Sequence, residues 1–486
     1  MIGVPAYLES WMSRQRWFAG KSQKPQLQIV GWFGLADPHR LALIRVYLIL
    51  DRADKPILYQ VPLTERSQPV PAAHGGLIAS IGTDTDRRYL YDGPHDPAFA
   101  EALLRLIQNG GRAEQGGEPT ALDSGSSGGA AVAAVVARGE RTGPMPPLRY
   151  RSSRVLSGEQ SNTSIVFQTI SDSPTSGTPK DSPEIVCKIF RALHHGENPD
   201  VILTEALAAA ESTVAPWPIG HVTGTWDDGS VPGGLATGHL AFAQEFLVGA
   251  EDAWRVAVRA AELGDDFSPS AHWLGATTAV MHETLRRALP SRATGRSDIA
   301  TMVSSMRERF EVATAVVPGL AENRSALEHL YRSATASRWP PLQRIHGDFH
   351  LGQVLAVPDR GWVVLDFEGE PLRPMTERTL PDIPLRDIAA MLRSFDYVAG
   401  SVSLRSPART AAVTAWAASC RAAFTAGYAS RSGNFLAEHR ALLNLFEIDK
   451  ALYEAHYEAG NRPDWLAIPT RAITALLAAS KPNRRR

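Results

Sequence analysis

The segment Arg344-Ile345-His346-Gly347-Asp348-Phe349-His350-Leu351-Gly352-Gln353-Val354-Leu355 gathers an acid, two histidines and a carboxamide in one short polar loop. Further on, Val363 and Val364 lead into Leu365-Asp366-Phe367-Glu368, a second acid at the end of an apolar strand. Phosphoryl transfer calls for such a set. One carboxylate orients the attacking hydroxyl and accepts its proton; a carboxamide and another carboxylate hold Mg²⁺ against the nucleotide phosphates. A different chemistry also fits part of the loop. His346, Asp348 and His350 alternate as hydrolase metal ligands would, although no further His or Asp cluster downstream pairs with them.

The elements that must position these residues can be traced along the chain. Strands Arg149–Leu156 and Thr163–Ile170 flank the polar turn 157–162, a hairpin whose Ser161, Asn162 and Thr163 offer hydroxyl and backbone donors to phosphates, or simply face solvent. Ser171–Pro183 is too rich in Ser, Pro and Thr to pack. On the strand Glu184–Phe190, two-residue alternation sets Val186, Lys188 and Phe190 on one face. A lysine among apolar neighbours costs desolvation unless it meets an anion, such as nucleotide phosphate; the alternative is an edge-strand lysine in solvent. Thr204–Thr213 is helix-like, and the strand Leu240–Leu247 carries Gln244-Glu245-Phe246, a hinge whose backbone would meet adenine.

After Gly249 the pattern turns to amphipathic helices: Ala271–Leu289, Ile299–Val316, Asn323–Ala336, Ala411–Tyr428 and His439–Glu458. A further helix, Leu385–Tyr397, opens with Arg386 and Asp387, which orient the catalytic loop; Asp387 can equally be an N-terminal acid favoured by the helix dipole. Tyr453 and Tyr457 are i, i+4 neighbours, followed by Arg462 and Trp465. Aromatic faces beside hydrogen-bonding groups suit a sugar site, and packing against the fold is the plainer alternative.

Composition narrows the class. The 486 residues carry 50 Lys plus Arg against 51 Asp plus Glu, so the basic footprint of a nucleic-acid binder is missing. With 44% hydrophobic residues the chain is globular, and its length favours two or three domains. The most apolar stretch, Leu41–Leu50, is interrupted by Arg45 and is too short for a bilayer. Cys187 and Cys420 form no disulfide framework, and the N-terminus lacks a signal-peptide layout, so the expected location is the cytoplasm. Three regions follow: 1–95, with Pro56, Pro62, Pro69 and Pro71 as punctuation; 96–248, including the short helical pattern Pro97–Ile107 and a Gly/Ser/Ala-rich stretch from Asn109 to about Pro147; and a helical 249–486.

His-Gly-Asp-x-His-x-x-Gln followed by Leu-Asp-Phe resembles the catalytic and metal loops of aminoglycoside-phosphotransferase and choline-kinase-type enzymes, where Asn commonly replaces Gln353. The form with His350-Leu351-Gly352-Gln353 and Asp366-Phe367-Glu368-Gly369-Glu370-Pro371 is similar to the bacterial maltokinases. The likeness extends to Arg14-Gln15-Arg16-Trp17-Phe18-Ala19-Gly20-Lys21, Glu159-Gln160-Ser161-Asn162-Thr163-Ser164, Pro384-Leu385-Arg386-Asp387, Arg393-Ser394-Phe395-Asp396-Tyr397 and Arg462-Pro463-Asp464-Trp465-Leu466.

The resemblance implies an α+β, bilobal protein-kinase-like fold: an N-terminal cap domain (1–95), a small mixed β-sheet lobe for nucleotide (96–248), and a large, mostly helical C-terminal lobe with the catalytic loop and sugar site (249–486). It implies ATP- and Mg²⁺-dependent conversion of maltose to maltose 1-phosphate, in a route from trehalose to α-glucan shared with trehalose-to-maltose enzymes. Asp348 would be the base, Gln353 and Asp366 the Mg²⁺ ligands, and Lys188 the grip on the α- and β-phosphates. Glu205 is the candidate partner of Lys188, since Ile202 occupies the neighbourhood after Asn198-Pro199-Asp200 where these kinases tend to carry an acid. Ser161, Asn162, Thr163, Gln244 and Glu245 fall on the nucleotide side; His350, Glu368, Arg386, Tyr453, Tyr457, Arg462 and Trp465 fall on the sugar side. Two other functions stay open: a glucosamine or aminoglycoside kinase, whose acidic patch could be Glu368, Glu370, Glu454 and Glu458, and a non-catalytic kinase-fold binding module.

Overall fold

The computed structural model describes residues 2–19, 24–53, 55–116, 133–143, 148–156, 161–171, 183–370 and 373–480. The hairpin-tip residues 157–160, Gly20 and Lys21, the Gly/Ser-rich segment 124–129, most of the loop 171–183, and Pro371 lie outside them. The chain divides into two units, Met1–Val201 with Pro216–Val248, and Ile202–Ala215 with Gly249–Arg486.

The first unit is built on two sheets. One runs β1 (Ile2–Gly3), β2 (Leu27–Leu35), β3 (Leu43–Asp51), β4 (Ile57–Arg66), β5 (Leu77–Ile81) and β6 (Arg88–Asp92) in spatial order β1-β2-β3-β4-β6-β5. Helix α1 (Ala6–Ser13) contributes Leu8, Trp11 and Met12 to a core shared with Trp17, Phe18, Tyr47 and Tyr59. Helix α2 (Pro97–Gln108) starts where two local signals coincide: Asp96 accepts the Ala98 N–H at 2.9 Å, and Pro97 fills the first helical position.

The other sheet comprises β7 (Arg112–Glu114), β9 (Val136–Arg141), β10 (Leu148–Val155), β11 (Asn162–Ser171), β12 (Glu184–Phe190), β14 (Pro218–Asp227) and β15 (Leu235–Glu245), in the order β10-β11-β12-β15-β14-β9-β7. Short strands β8 (Ala133–Ala134) and β13 (Ala192–Leu193) pair with β2 and β4 of the first sheet. One apolar core serves both sheets, joining Phe33, Val46 and Leu48 to Phe99 and Leu103 of α2 and to Phe167, Ile185 and Phe242. The buried Gln60 amide stitches β4 to the second sheet by donating to Phe190 O at 3.0 Å and Leu240 O at 2.8 Å.

Several expectations shift here. Pro62 lies inside β4 opposite Val46 instead of punctuating it. On the far side of β4, the partners β13 and β6 take up Leu58–Tyr59 and Leu63–Arg66, so Pro62 sits in the gap where its missing N–H costs no ladder bond. The Gly/Ser/Ala-rich stretch after Asn109 contains paired strands, because Ala113, Val135 and Ala137 bury their small apolar side chains. The β15 strand begins earlier than read and leaves the ladder after Glu245, and β14 was not anticipated.

The second unit is helical: α4 (Ala253–Leu263), α5 (Ser268–Ala288), α6 (Arg296–Val316), α7 (Arg324–Ala336), α8 (Met375–Arg378), α9 (Leu385–Arg405), α10 (Thr410–Ser432), α11 (Phe435–Glu438), α12 (Arg440–Asn461) and α13 (Ala467–Ala479). The five long helices expected after Gly249 and the one opening at Leu385 are present; α4 and α13 were not read. Helix α3 (Pro199–Ala209) precedes this unit's main part, starting five residues before the expected Thr204 because Asn198 accepts the Asp200 N–H at 2.9 Å and Pro199 pre-sets the first turn. A small sheet of β16 (Glu251–Asp252), β17 (Val354–Val357) and β18 (Gly361–Val364) spans the stretch between Gln353 and Leu365, as the two strand-like pieces suggested. Among the described residues, no helix is long and apolar enough to cross a membrane.

Candidate active site

The loop His346–Gly352 is held from beneath by one acid. Asp387, in the first turn of α9 and buried, accepts the His346 N–H at 2.8 Å and the Gly347 N–H at 2.9 Å. Its Oδ2 also meets His282 Nε2 at 3.0 Å, and His282 Nδ1 meets the Tyr428 hydroxyl at 3.1 Å. Burial by itself would raise the Asp387 carboxyl, but the hydrogen bond and charge of His282 with the other donors outweigh it and hold it below its ordinary value. Asp387 therefore orients the loop while staying out of the reacting layer.

His346 fastens the same loop to the second acid. Its ring lies between Phe349 and Phe367, with centroids 5.3 and 4.9 Å away. Nε2 lies 2.7 Å from the Leu365 carbonyl oxygen, while Nδ1 faces the Asp348 N–H at 3.3 Å. The arrangement fits an Nε2-protonated neutral ring, a structural strut with no free nitrogen for a metal. The Leu365 N–H in turn donates to Gln353 O at 2.9 Å, and a Cβ on Gly347 would come within 3.2 Å of Gly369 Cα. Asp348, Gln353 and Asp366 are thus carried on two loops in direct contact. Asp366 adopts φ +57°, a left-handed conformation unusual for a non-glycine residue and of the kind that persists where the surroundings impose it.

A cation that sequence reasoning missed sits beside Asp348. Lys450 of α12 places its ammonium 3.6 Å from Asp348 Oδ1, 2.8 Å from Glu370 Oε1 and 4.8 Å from the Tyr453 ring centroid. Burial alone would lower the Lys450 pKa, yet Glu370 and Asp348 raise it overall. Burial likewise opposes ionisation of Glu370, and Lys450 with Arg373 (Nε at 3.1 Å) reverses that and holds it well below the carboxylate range. His350 lies 4.0 Å from Asp348 and accepts the Gly352 N–H at 3.1 Å; burial drives its pKa down.

The other sugar-side candidates divide. Tyr453 stands next to Lys450, and Tyr457 is exposed one turn on. Arg462 is clamped on Glu458 at 2.6 Å and lies 4.6 Å over Trp465, which stacks on Tyr397. Arg386 is taken up by Asp382 at 2.8 Å and Asp449 at 3.5 Å, so its guanidinium is structural. The proposed acidic patch is largely neutralised: Glu370 pairs with Lys450, Glu454 accepts Arg393 at 2.8 Å and Glu458 accepts Arg462. Glu368 lies on the loop after Asp366, half-buried.

In the first unit, β11, β12 and β15 carry the nucleotide-side candidates. Lys188, flanked in register by Ser164 and Phe242, is buried and bonds Asp200 Oδ2 at 2.6 Å. Asp200 is an acid that sequence reasoning did not name as a partner of Lys188; the signal was the Asn198-Pro199 helix start, which places Asp200 in the first turn of α3, and Glu205, the candidate partner, lies on the same helix. Thr163 is buried with its Oγ1 accepting Arg191 Nε at 2.8 Å, while Ser161 is exposed and Asn162 half-buried. The N–H of Glu245 bonds Trp217 O at 2.8 Å and that of Phe246 bonds Glu184 O at 3.0 Å; Gln244 is buried in the sheet.

Comparison with known families finds two matching segments. Residues 11–96 match the family described as maltokinase N-terminal cap domain, and residues 207–442 match the phosphotransferase enzyme family. The chain thus carries a segment similar to that cap domain followed by a segment similar to that phosphotransferase family. Among curated relatives, a glucosamine kinase of Streptacidiphilus jiangxiensis is 30% identical over 255 residues, 49% of this chain and 58% of that protein. A glucosamine kinase of Mycolicibacterium smegmatis is 26% identical over 407 residues, 81% of this chain and 91% of that protein. A solved glucosamine kinase in complex with glucosamine, ADP and inorganic phosphate superposes with a TM-score of 0.63 at 22% identity, covering 94% of each chain. The α+β kinase-like architecture expected for this phosphotransferase, with cap, sheet and helical portion, is the architecture found.

Proposed function

We propose that the chain transfers the γ-phosphoryl group of ATP to a hydroxyl of a small sugar. The observation that carries this reading is the Asp387 clamp, which fixes the backbone on the N-terminal side of Asp348 and leaves its carboxylate beside Lys450. Asp348 accepts the proton of the attacking hydroxyl; Lys450 stabilises charge around it and orients the acceptor. Lys188, held by Asp200, meets the nucleotide phosphates.

Gln353 and Asp366 supply oxygen donors on adjacent loops, a set suited to Mg²⁺, which takes few protein ligands and fills the rest with phosphate and water. Among the described residues no cluster of three acids or histidines invites a tighter-held ion. Bound there, Mg²⁺ would neutralise charge on the transferred phosphate.

The names of the relatives support glucosamine as acceptor. The cap family, with Tyr453, Tyr457 and Trp465 along one end of the helical unit, supports maltose, giving maltose 1-phosphate. Polycationic aminoglycosides fit less well, because Glu370, Glu454 and Glu458 already hold cations. ATP consumption measured with glucosamine, maltose, glucose and kanamycin tests the reading. Turnover of glucosamine or maltose at least tenfold above kanamycin is the result expected. ATP binding without turnover of any sugar would overturn it in favour of a binding module.

A further inference from the structure

The helical unit holds a cavity of about 590 Å³ walled by α9, α10, α12 and α13, a volume typical of small-molecule sites. Asp348, Gln353, Asp366 and Lys450 do not line it. Its lining is mixed in chemistry. Part of the lining is aliphatic: Ala399, Gly400, Ala417, Ile468, Ala472 and Leu476. Gly400 is required there, since a Cβ at that position would come within 2.3 Å of Ile468 Cδ1.

The rest of the lining includes charged groups. Arg393 and Arg421 are already balanced, sharing Asp396 at 2.6 and 3.1 Å, with Arg421 also on Glu447 at 2.6 Å. Arg440, Arg471 and Asn444 differ. They line the same cavity, and among the described residues no side chain bonds any of the three. Four arginines against two carboxylates leave the lining net positive, with the uncompensated charge on the two exposed arginines. A lining that joins net positive, hydrogen-bond-donating groups to aliphatic surface is complementary to a ligand that carries both an anionic head and a hydrocarbon body.

We propose that this cavity is a second ligand site, separate from the phosphotransfer centre, that takes a small amphiphilic anion. Its carboxylate or phosphate head meets Arg440, Arg471 and Asn444, and its hydrocarbon body lies along the aliphatic lining. The proposal stands whether or not the sugar-kinase reading does, because it uses none of those residues.

The test is calorimetric titration of the full chain with four probes sharing a ten-carbon tail: decanoate, decyl phosphate, decanol and decyltrimethylammonium. Decanoate or decyl phosphate should bind at least tenfold more tightly than decanol, and the stronger of the two identifies the head group. Decyltrimethylammonium should not bind. Arg440→Glu with Arg471→Glu should weaken the anion at least tenfold. Both side chains are exposed and unbonded among the described residues, so this variant should melt like the parent. Ala472→Trp, which adds bulk to the aliphatic lining, should weaken it as well. Equal affinity for decanoate and decanol, no binding by the parent chain, or a charge-reversed variant within twofold of the parent would each overturn the proposal.

Discussion

The ammonium of Lys450 stands 3.6 Å from the carboxylate of Asp348, although 102 residues separate them in the chain. A buried cation at that distance places positive charge beside the proposed base and limits where an acceptor hydroxyl can sit. Lys450→Met should lower turnover by about 10²-fold, in the range seen when one charge-stabilising donor is removed. It should also destabilise the fold by about 3 kcal/mol by stripping the buried Glu370 of a partner. Adding Glu370→Gln should restore much of the melting temperature and none of the turnover, which thermal denaturation and ATP-consumption assays would separate.

Asp348→Asn keeps the shape of the side chain and removes the proton acceptor. Turnover should fall about 10²- to 10⁴-fold. Melting temperature and ADP affinity should stay close to those of the parent. A loss of ADP binding in the same variant would mean that Asp348 acts on the nucleotide and not on the acceptor.

Asp387 makes stability depend on acid. Its folded pKa lies below the unfolded value, about 3.9 for a free aspartate. Its contribution is therefore complete above that pH and disappears as the pH falls through the folded value. Asp387→Asn should lower the melting temperature at neutral pH and flatten its decline on acidification. A variant whose acid limb parallels that of the parent would show that another carboxylate dominates.

Asp200→Asn should raise the KM for ATP roughly tenfold, the scale of about 1.4 kcal/mol, by loosening Lys188. The KM for sugar should barely change. Steady-state kinetics with each substrate varied in turn would check this.

Asp366→Asn and Gln353→Ala should each shift the Mg²⁺ dependence of turnover to higher concentration, Asp366→Asn by at least tenfold because it removes charge as well as a donor. Titrating Mg²⁺ at saturating ATP would measure this. Unaltered Mg²⁺ dependence in Asp366→Asn would remove that residue from the metal.

The helices of the second unit were legible because Ile388, Met391, Leu392 and Phe395 repeat at helical spacing and all four are buried. The strand of Lys188 was legible from two-residue alternation. Pro62 misled because its tolerance depends on a gap between two distant strands, which local sequence does not contain. Lys450 and His282 were invisible for a related reason. Each is an ordinary helix residue until the fold sets it against Asp348 or Asp387. Arg386 shows the reverse error: its place beside Asp387 suggested the site, while tertiary contacts assign it to Asp382 and Asp449.

Gly347 and Gly369 meet almost backbone to backbone, both with positive φ (+87° and +72°). A side chain added at Gly347 would press on the backbone of Gly369 and so shift the proposed base away from the proposed cation ligands. New acceptor preferences would then arise more readily from α12 and the segment after it, where a residue can be exchanged without disturbing the spacing on which group transfer depends.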